Sequence, residues 1–275
     1  PRSSADRTAF VETIWEYYRA YGRRMAWRED TRPYYVLVSE FMLQQTQVAR
    51  VHEKFDQFIA AFPTLFDLAE APFERVLRAW SGLGYNRRAK YLHRTAQTIV
   101  GAHNGVVPRE RRHLTTLPGV GPGTAGAILA FAYNVPVVFI ETNIRRVFIT
   151  SFFSGETAPI NDDRIVPLVE KTLPRQNARE WYWALMDVGV ALVRYGENAN
   201  RASAHYTRQS PFENSDRQLR GQILKALAID RLVTAESLPE RTGFPLERVE
   251  EALKRLVREK MIVPAEDDEN AYRIY

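Results

Sequence analysis

Cysteine is absent from the 275 residues. That excludes disulfides, thiolate zinc sites, a cysteine nucleophile and a cysteine-ligated iron–sulfur cluster. Long apolar runs are also missing: no stretch approaches the ~18 residues that mark a membrane-spanning helix. The opening Pro1-Arg2-Ser3-Ser4-Ala5-Asp6 lacks the apolar centre of a secretory signal. These absences lead to the expectation of a cytoplasmic protein with no membrane partner. Alternating strand patterns are scarce, and repeats and low-complexity tracts are not evident. Large charge excess is lacking as well, since 26% of residues are charged and 45% are apolar, the balance of an ordinary globular chain.

The net charge of +5 favours an anionic partner, nucleic acid being the usual one. Its distribution is uneven. Residues 216–275 carry 11 basic against 12 acidic side chains, which leaves 27 against 21 over residues 1–215. The larger part is therefore the better candidate for a DNA-facing body.

Most of the chain reads as amphipathic helices cut by proline and glycine. Helical periodicity covers Thr8–Tyr21, Tyr34–Leu43 (entered through Pro33), Val48–Phe62, Phe73–Trp80, Arg87–His103 and Arg111–Thr115, then 124–132, 143–153, 161–172 and 178–195. A polar stretch from Gly196 to Ser203 and the loop-like Gln209-Ser210-Pro211 break the pattern. Helices then follow at 217–229, after Thr234 as N-cap, and at Pro245–Glu259. Two short strands, Met261–Val263 and Ala271–Tyr275, end the chain. That order is similar to a winged helix-turn-helix. The expected organisation is an all-α body over residues 1–212 and a winged-helix-like α+β domain over 213–275.

Leu117-Pro118-Gly119-Val120-Gly121-Pro122-Gly123-Thr124-Ala125 places glycines just ahead of a helix. Glycine there allows positive φ and close approach of backbone to a ligand, and the first N–H groups of the helix can take a phosphate. This is the pattern of a helix-hairpin-helix, a sequence-neutral clamp on the DNA backbone. Gly119, Val120, Gly121, Gly123 and Thr124 are its candidate contacts.

Two further segments resemble one family. Ser39-Glu40-Phe41-Met42-Leu43-Gln44-Gln45-Thr46-Gln47-Val48 resembles the catalytic-helix segment of the MutY adenine DNA glycosylases, and Gly82-Leu83-Gly84-Tyr85-Asn86-Arg87-Arg88-Ala89 resembles their companion loop and helix. Leu117–Ile128 resembles their hairpin, and the Glu40-to-Glu141 spacing resembles that of their two catalytic acids. The resemblance spans about residues 24–195. It implies a mainly α, two-lobed helix-hairpin-helix glycosylase that acts on double-stranded DNA, as a monomer.

A glycosylase flips a nucleotide out of the duplex. It then needs an acid for the departing base and a negative charge near the sugar, the two-carboxylate logic of glycoside hydrolysis. Glu40 lies on an otherwise apolar helix, where burial raises a carboxyl's pKa; the resemblance implies that it protonates the base and then activates water. Glu141 in Phe139-Ile140-Glu141-Thr142-Asn143 stands where the family usually has Asp, followed by Gly-Asn. The extra methylene implies a rebuilt pocket, a different substrate or a different mechanism. Asn143 matches the family Asn that orients the acid or a water.

The resemblance places Gln45 and Tyr85 at the point where DNA is entered, with Gln44 beside them suited to base edges. Arg87, Arg88, Lys90, Arg145 and Arg146 are candidate phosphate contacts. Gly123 occupies the position where bifunctional relatives carry the Schiff-base lysine, so hydrolysis without strand-cleaving lyase activity is expected.

Three departures point away from a simple copy of the family. Besides Glu141, the positions matching its four cluster cysteines are near Val193, Asn200, Ser203 and Gln209, so no cofactor is expected beyond a monovalent structural cation at the hairpin. The loop must then be held by packing and hydrogen bonds, with Trp181, Trp183, Tyr195, His205 and Tyr206 nearby. The family's 8-oxoguanine-reading C-terminal domain is replaced by the winged-helix-like unit, whose third helix is balanced in charge and is open to weak DNA contact, a partner protein or simple bracing. The expected activity is removal of adenine opposite 8-oxoguanine or guanine, or of a modified or mismatched pyrimidine. The alternative is a non-catalytic DNA-binding or regulatory protein on the same scaffold.

Overall fold

A computed structural model describes residues 4–196, 198–208, 211–266, 268 and 270–275. The chain is mainly helical and its contacts separate into two compact units. The first holds 1–40, 108–116 and 120–208; the second holds 41–107, 117–119 and 209–275. The C-terminal residues 209–275 group with the segment 41–107 in this division.

The first unit contains α1 (Ser4–Tyr21), α2 (Ala26–Glu29) and most of α3 (Pro33–Leu43), which passes into the second unit after Glu40. The second unit continues with α4 (Val48–Ala61), α5 (Leu65–Glu70), α6 (Phe73–Trp80) and α7 (Arg87–His103). The chain then returns to the first unit for α8 (Arg111–Leu114), α9 (Pro122–Tyr133), α10 (Thr142–Phe152), α11 (Asp162–Thr172), α12 (Ala178–Tyr195) and a 3₁₀ turn at Ala199–Ala202. The C-terminal segment adds α13 (Asp216–Asp230), β1 (Val233–Thr234), α14 (Leu238–Thr242), α15 (Leu246–Arg258), β2 (Ile262–Pro264) and β3 (Ala271–Ile274). Among the described residues no helix is long and apolar enough to cross a membrane.

The first unit is built around α9 and α12. Ala125 through Phe131 of α9 are buried on every side, as expected of a helix apolar all round. Trp181, Tyr182, Ala184 and Leu185 of α12 are fully enclosed, and Phe10 of α1 packs edge-on to Phe152 at 4.9 Å. Each large side chain buried this way contributes roughly 1.5–3 kcal/mol. Asp187 of α12 is buried and held by a two-pronged pairing with Arg28, both bonds at 2.9 Å, and by Arg23. Such paired charges tie α2 to α12 without leaving an uncompensated ion.

In the second unit Phe55, Phe58, Phe62, Leu68, Trp80, Leu92 and Ile99 form the core between α4, α5, α6 and α7. Helix α5 starts at a capping box, Thr64 accepting from the Asp67 N–H and Asp67 from the Thr64 N–H. The C-terminal segment packs Leu219, Ile223 and Leu227 of α13 with Val249, Leu253 and Leu256 of α15. Its antiparallel sheet has the order β1-β3-β2, with Val233 opposite Tyr272 and Ile262 opposite Ile274. Three helices and a three-stranded sheet confirm the winged-helix-like expectation, with one strand more than the sequence shows.

Candidate active site

Helix α3 begins with Pro33, whose missing N–H costs nothing at a helix start. Val36, Leu37 and Val38 are wholly buried, so Glu40 emerges from an apolar stem. The Glu40 side chain retains partial exposure while protein atoms surround its carboxyl. Its pKa is raised from the usual 4.5 to about 8, first by burial and then by the Glu141 charge, with the Arg28 guanidinium opposing the rise. Nothing donates a hydrogen bond to this carboxyl among the described residues.

Glu141 is different. It is the N-cap of α10, where Oε1 accepts from the backbone N–H groups of Asn143 at 2.7 Å and Ile144 at 2.8 Å, and Oε2 from Asn143 Nδ2 at 3.3 Å. The longer side chain thus performs the capping that a shorter acid ordinarily supplies. Burial raises its pKa also, but the two backbone donors and the charges of Arg146 and Arg145 hold it back. Burial thus raises both carboxyls, and of the two only Glu141 has hydrogen-bond donors that favour its ionised form.

Asn143 is fixed from behind. Its Oδ1 accepts from Arg146 Nη1 at 2.8 Å, and the same nitrogen donates to Gly189 O at 2.7 Å. A Cβ on Gly189 would stand 2.6 Å from Asn143 O, so only glycine lets α12 approach this closely. Arg146 Nε donates to Asn198 Oδ1 at 3.2 Å, and Asn200 Nδ2 to Thr142 O at 3.0 Å. Ile160 pairs with the same segment through bonds to Ala202 O and from Ala204 N. The loop is therefore held by hydrogen bonds in which Asn198 Oδ1 accepts from Arg146 and the Asn200 N–H, Ser203 Oγ accepts from the His205 N–H, and the His205 ring meets Asn161 Oδ1. The aromatic residues expected to hold it do not all do so: Trp181 and Trp183 belong to the α12 core and Tyr206 is exposed. No thiolate is available for an iron–sulfur cluster, and Asn200 and Ser203 are already engaged; Gln209 lies outside the described residues.

The hairpin has two kinds of glycine. Gly119 adopts φ +77°, and an added Cβ would lie 2.8 Å from Tyr91 Cβ and 2.9 Å from Phe41 Cε1. Gly119→Ala is expected to lower stability by about 2 kcal/mol through strain and overlap, measured by chemical denaturation; an unchanged midpoint would show that the turn relaxes freely. Gly121 meets nothing within 4 Å, and a Cβ on Gly123 would touch only Ile140 O at 3.9 Å. Neither is required by packing, so open backbone precedes and begins α9. Val120 is buried and can offer only its backbone outward, while Thr124 is half-buried in the first turn.

Gln44, Gln45, Tyr85, Arg87, Arg88 and Gly119 belong to the second unit; Glu40, Glu141, Asn143, Arg145 and residues 120–124 belong to the first. Gln45 is exposed at φ +56° and Tyr85 lies at φ +46°, a costly backbone for side chains of this size. Gln44 reaches Gly119 O at 3.4 Å.

Several of the basic residues expected to contact phosphates also make contacts within the protein. Arg88 is buried and donates to the carbonyls of Phe41, Met42, Gln44, Leu83 and Gly84 and to the Thr46 hydroxyl. It staples the Gln45 loop to the Tyr85 loop. Arg87 pairs with Glu259 at 2.5 Å, Arg145 with Asp162 through two 2.7 Å bonds, and Lys90 donates to the carbonyls of Glu259 and Lys260 at the end of α15. Arg146 is buried in the Asn143 network. Arg28, absent from the sequence-based set, biases Glu40 toward its ionised form.

Comparison with known proteins agrees with this geometry. Residues 38–166 match the HhH-GPD superfamily of base excision DNA repair proteins. An adenine DNA glycosylase of Mycolicibacterium smegmatis is 35% identical over 221 residues, covering 74% of this chain and 75% of its own. One from Buchnera aphidicola (subspecies Baizongia pistaciae) is 36% identical over 188 residues, and there the chain spans 52% of the relative's length. Among solved structures, a thermostable thymine-DNA glycosylase superposes with a TM-score of 0.62 at 28% identity, over 67% of this chain and 86% of that one. An endonuclease III–DNA complex shares the fold at TM-score 0.56 and 20% identity, over 77% of this chain and 92% of that one. The chain belongs to the HhH-GPD superfamily of base excision DNA repair proteins, in its MutY-like branch.

Proposed function

We propose that the chain is a DNA N-glycosylase that flips a base from the duplex and hydrolyses its N-glycosidic bond. The observation that carries this reading is the pair of buried carboxyls with unequal surroundings, Glu40 tuned to about 8 and Glu141 held by backbone donors. Protonated Glu40 donates its proton to the departing base as the C1′–N bond breaks and the bonding pair leaves with the base. Ionised Glu141 stabilises the sugar cation. Water then adds to C1′ and returns a proton to Glu40. With no amine at position 123, the sugar product is an abasic site and the strand stays intact.

Adenine opposite 8-oxoguanine or guanine is the first reading of the substrate, supported by the names of the relatives. A mismatched pyrimidine is the second, supported by the likeness to the thymine-DNA glycosylase and by Glu141 in place of the family Asp. The open backbone at Gly121 and Gly123 would accept a phosphate of the duplex. Gly121→Ala is expected to leave the melting temperature unchanged and weaken duplex binding several-fold, measured by fluorescence anisotropy.

Base release from a duplex panel, with alkali to reveal abasic sites, tests the reading. The panel holds adenine opposite 8-oxoguanine, adenine opposite guanine, thymine or uracil opposite guanine, and methylated bases. Release that needs Glu40 fixes both class and substrate. Binding with no release from any duplex would favour a regulatory DNA-binding protein, and cleavage without alkali would overturn the hydrolysis-only assignment.

A further inference from the structure

The C-terminal segment contains an arginine placed on an aromatic residue with a left-handed backbone, Tyr85. Tyr85 sits in the left-handed region between Gly84 and Asn86, where a bulky side chain costs about 1–3 kcal/mol. The backbone around it is fixed by its own neighbours: Trp80 Nε1 donates to Gly84 O at 3.0 Å, and Arg88 Nη2 to Leu83 O and Gly84 O at 3.1 and 3.0 Å. Those bonds set where the loop lies.

The ring is held from elsewhere. Arg217, near the start of α13, donates through Nη1 to the Tyr85 hydroxyl at 2.5 Å, and its guanidinium carbon lies 5.2 Å from the ring centroid. Arg88 contributes a second guanidinium at 5.5 Å. Arg217 itself lies 5.4 Å from the Phe212 ring. The helix bearing it is anchored to α7, because Glu259 takes Arg220 at 2.6 Å and Arg87 at 2.5 Å, while Lys90 caps the end of α15. These contacts all lie within one compact unit.

We infer that Arg217 is a positioning residue for Tyr85, holding its ring in one orientation for entry into the opened duplex. The inference rests on the glycosylase reading and deepens it. An aromatic side chain that must intrude between stacked bases loses rotamer freedom on binding, and a cation over its face together with a donor on its hydroxyl removes that loss beforehand. The winged-helix-like segment then contributes to DNA recognition through the Tyr85 loop, without a basic helix of its own in a groove.

The full-length Arg217→Ala, Arg217→Lys, Tyr85→Phe and Tyr85→Leu proteins and the Arg217→Ala/Tyr85→Leu double variant test this. The probes are duplexes with adenine opposite 8-oxoguanine or thymine opposite guanine, carrying 2-aminopurine beside the target. Arg217→Ala is expected to raise the enzyme concentration for half-maximal single-turnover release by about 5–10-fold, to leave the saturated rate within about twofold, and to diminish the 2-aminopurine rise. Arg217→Lys should recover part of this, because lysine keeps the cation but not the planar donor. Tyr85→Phe, which keeps the ring and drops the hydroxyl, should lose part of it. With leucine at 85, Arg217→Ala should have no further effect. An equal loss in the leucine background, or a loss that follows a lowered melting temperature and is absent from Arg217→Lys, would make Arg217 a structural tie only. An active wild type matched by Arg217→Ala overturns the inference alone. A wild type that opens and cleaves none of these duplexes overturns the glycosylase reading on them and the inference with it.

Discussion

Glu40→Gln is expected to slow base release by about 10²–10⁴-fold at saturating enzyme, the range over which a positioned acid accelerates proton transfer, with duplex binding retained. The amide keeps the length of the side chain but cannot protonate the leaving base or accept a proton from water. The pH profile gives a second handle. The competent acid is the protonated form, so the single-turnover rate should be level around neutrality and fall tenfold per pH unit above about 8. On the acid side the rate should fall as Glu141 takes up a proton, above the usual carboxylate range because burial raises it too. The two limbs belong to the coupled pair. A rate that continues upward past pH 9 would remove Glu40 from the role of acid.

The same raised pKa predicts a stability effect of opposite sign. The folded state holds the Glu40 proton more tightly than the unfolded chain, whose value is near 4.5. Stability is therefore fully present below about pH 4.5 and declines as pH rises through about 8, levelling off only above it once Glu40 is ionised in the fold as well. By pH 7 the cost is on the order of 3 kcal/mol. Glu40→Gln should therefore melt above wild type at pH 8–9, with a smaller advantage at pH 5, as scanning calorimetry at both pH values can show. An advantage of equal size at both would mean that the carboxyl is not held protonated by the fold. Holding the Glu40 carboxyl in this buried setting therefore lowers stability at neutral pH.

Periodicity made most of the fold legible. Phe73–Trp80 and Arg87–His103 match their helices residue for residue, since Pro72, Gly82, Asn104 and Gly105 punctuate them. Helix α5 was missed despite a legible start, Thr64 and Asp67 at capping-box spacing. Helix α2 and strand β1 are too short for any period to show. Thr234, expected as an N-cap, does stand at the N-cap of the 3₁₀ turn Ala235–Ser237, though without a side-chain bond and while pairing opposite Ala271 in the sheet. Glu40, Glu141 and Asn143 were legible because the segments around them resemble those of the MutY family. The internal contacts of the arginines were not. In sequence Arg88 and Arg146 read as phosphate contacts, yet within the fold their partners include carbonyls and amides as far as 47 and 52 residues away. A buried arginine is defined by acceptors that only the folded chain assembles.

Glu141→Asp and Glu141→Gln separate the charge at this site from its reach. Aspartate keeps the charge and is a good N-cap, so the bonds to the Asn143 and Ile144 N–H groups should persist and the melting temperature should be little changed. Its carboxylate is withdrawn by one methylene, about 1–1.5 Å, and a displacement of that size can cost about 10²-fold in rate. Glutamine keeps the reach and removes the charge. It should lose about 10²–10³-fold, as when one stabilising electrostatic partner of a transition state is deleted, and should lose stability as well because neutral acceptors bind N–H groups more weakly than a carboxylate. Single-turnover rates on the cleaved duplex, with melting curves for each variant, make the comparison. Asn143 offers the control: Asn143→Ala leaves Glu141 its backbone donors but removes the 3.3 Å bond from Nδ2 and the link to Arg146, so its effect should be smaller than that of glutamine at 141. An aspartate variant as fast as wild type would show that the site does not depend on the extra methylene. A glutamine variant as fast as wild type would remove Glu141 from charge stabilisation and leave it the cap of α10 alone.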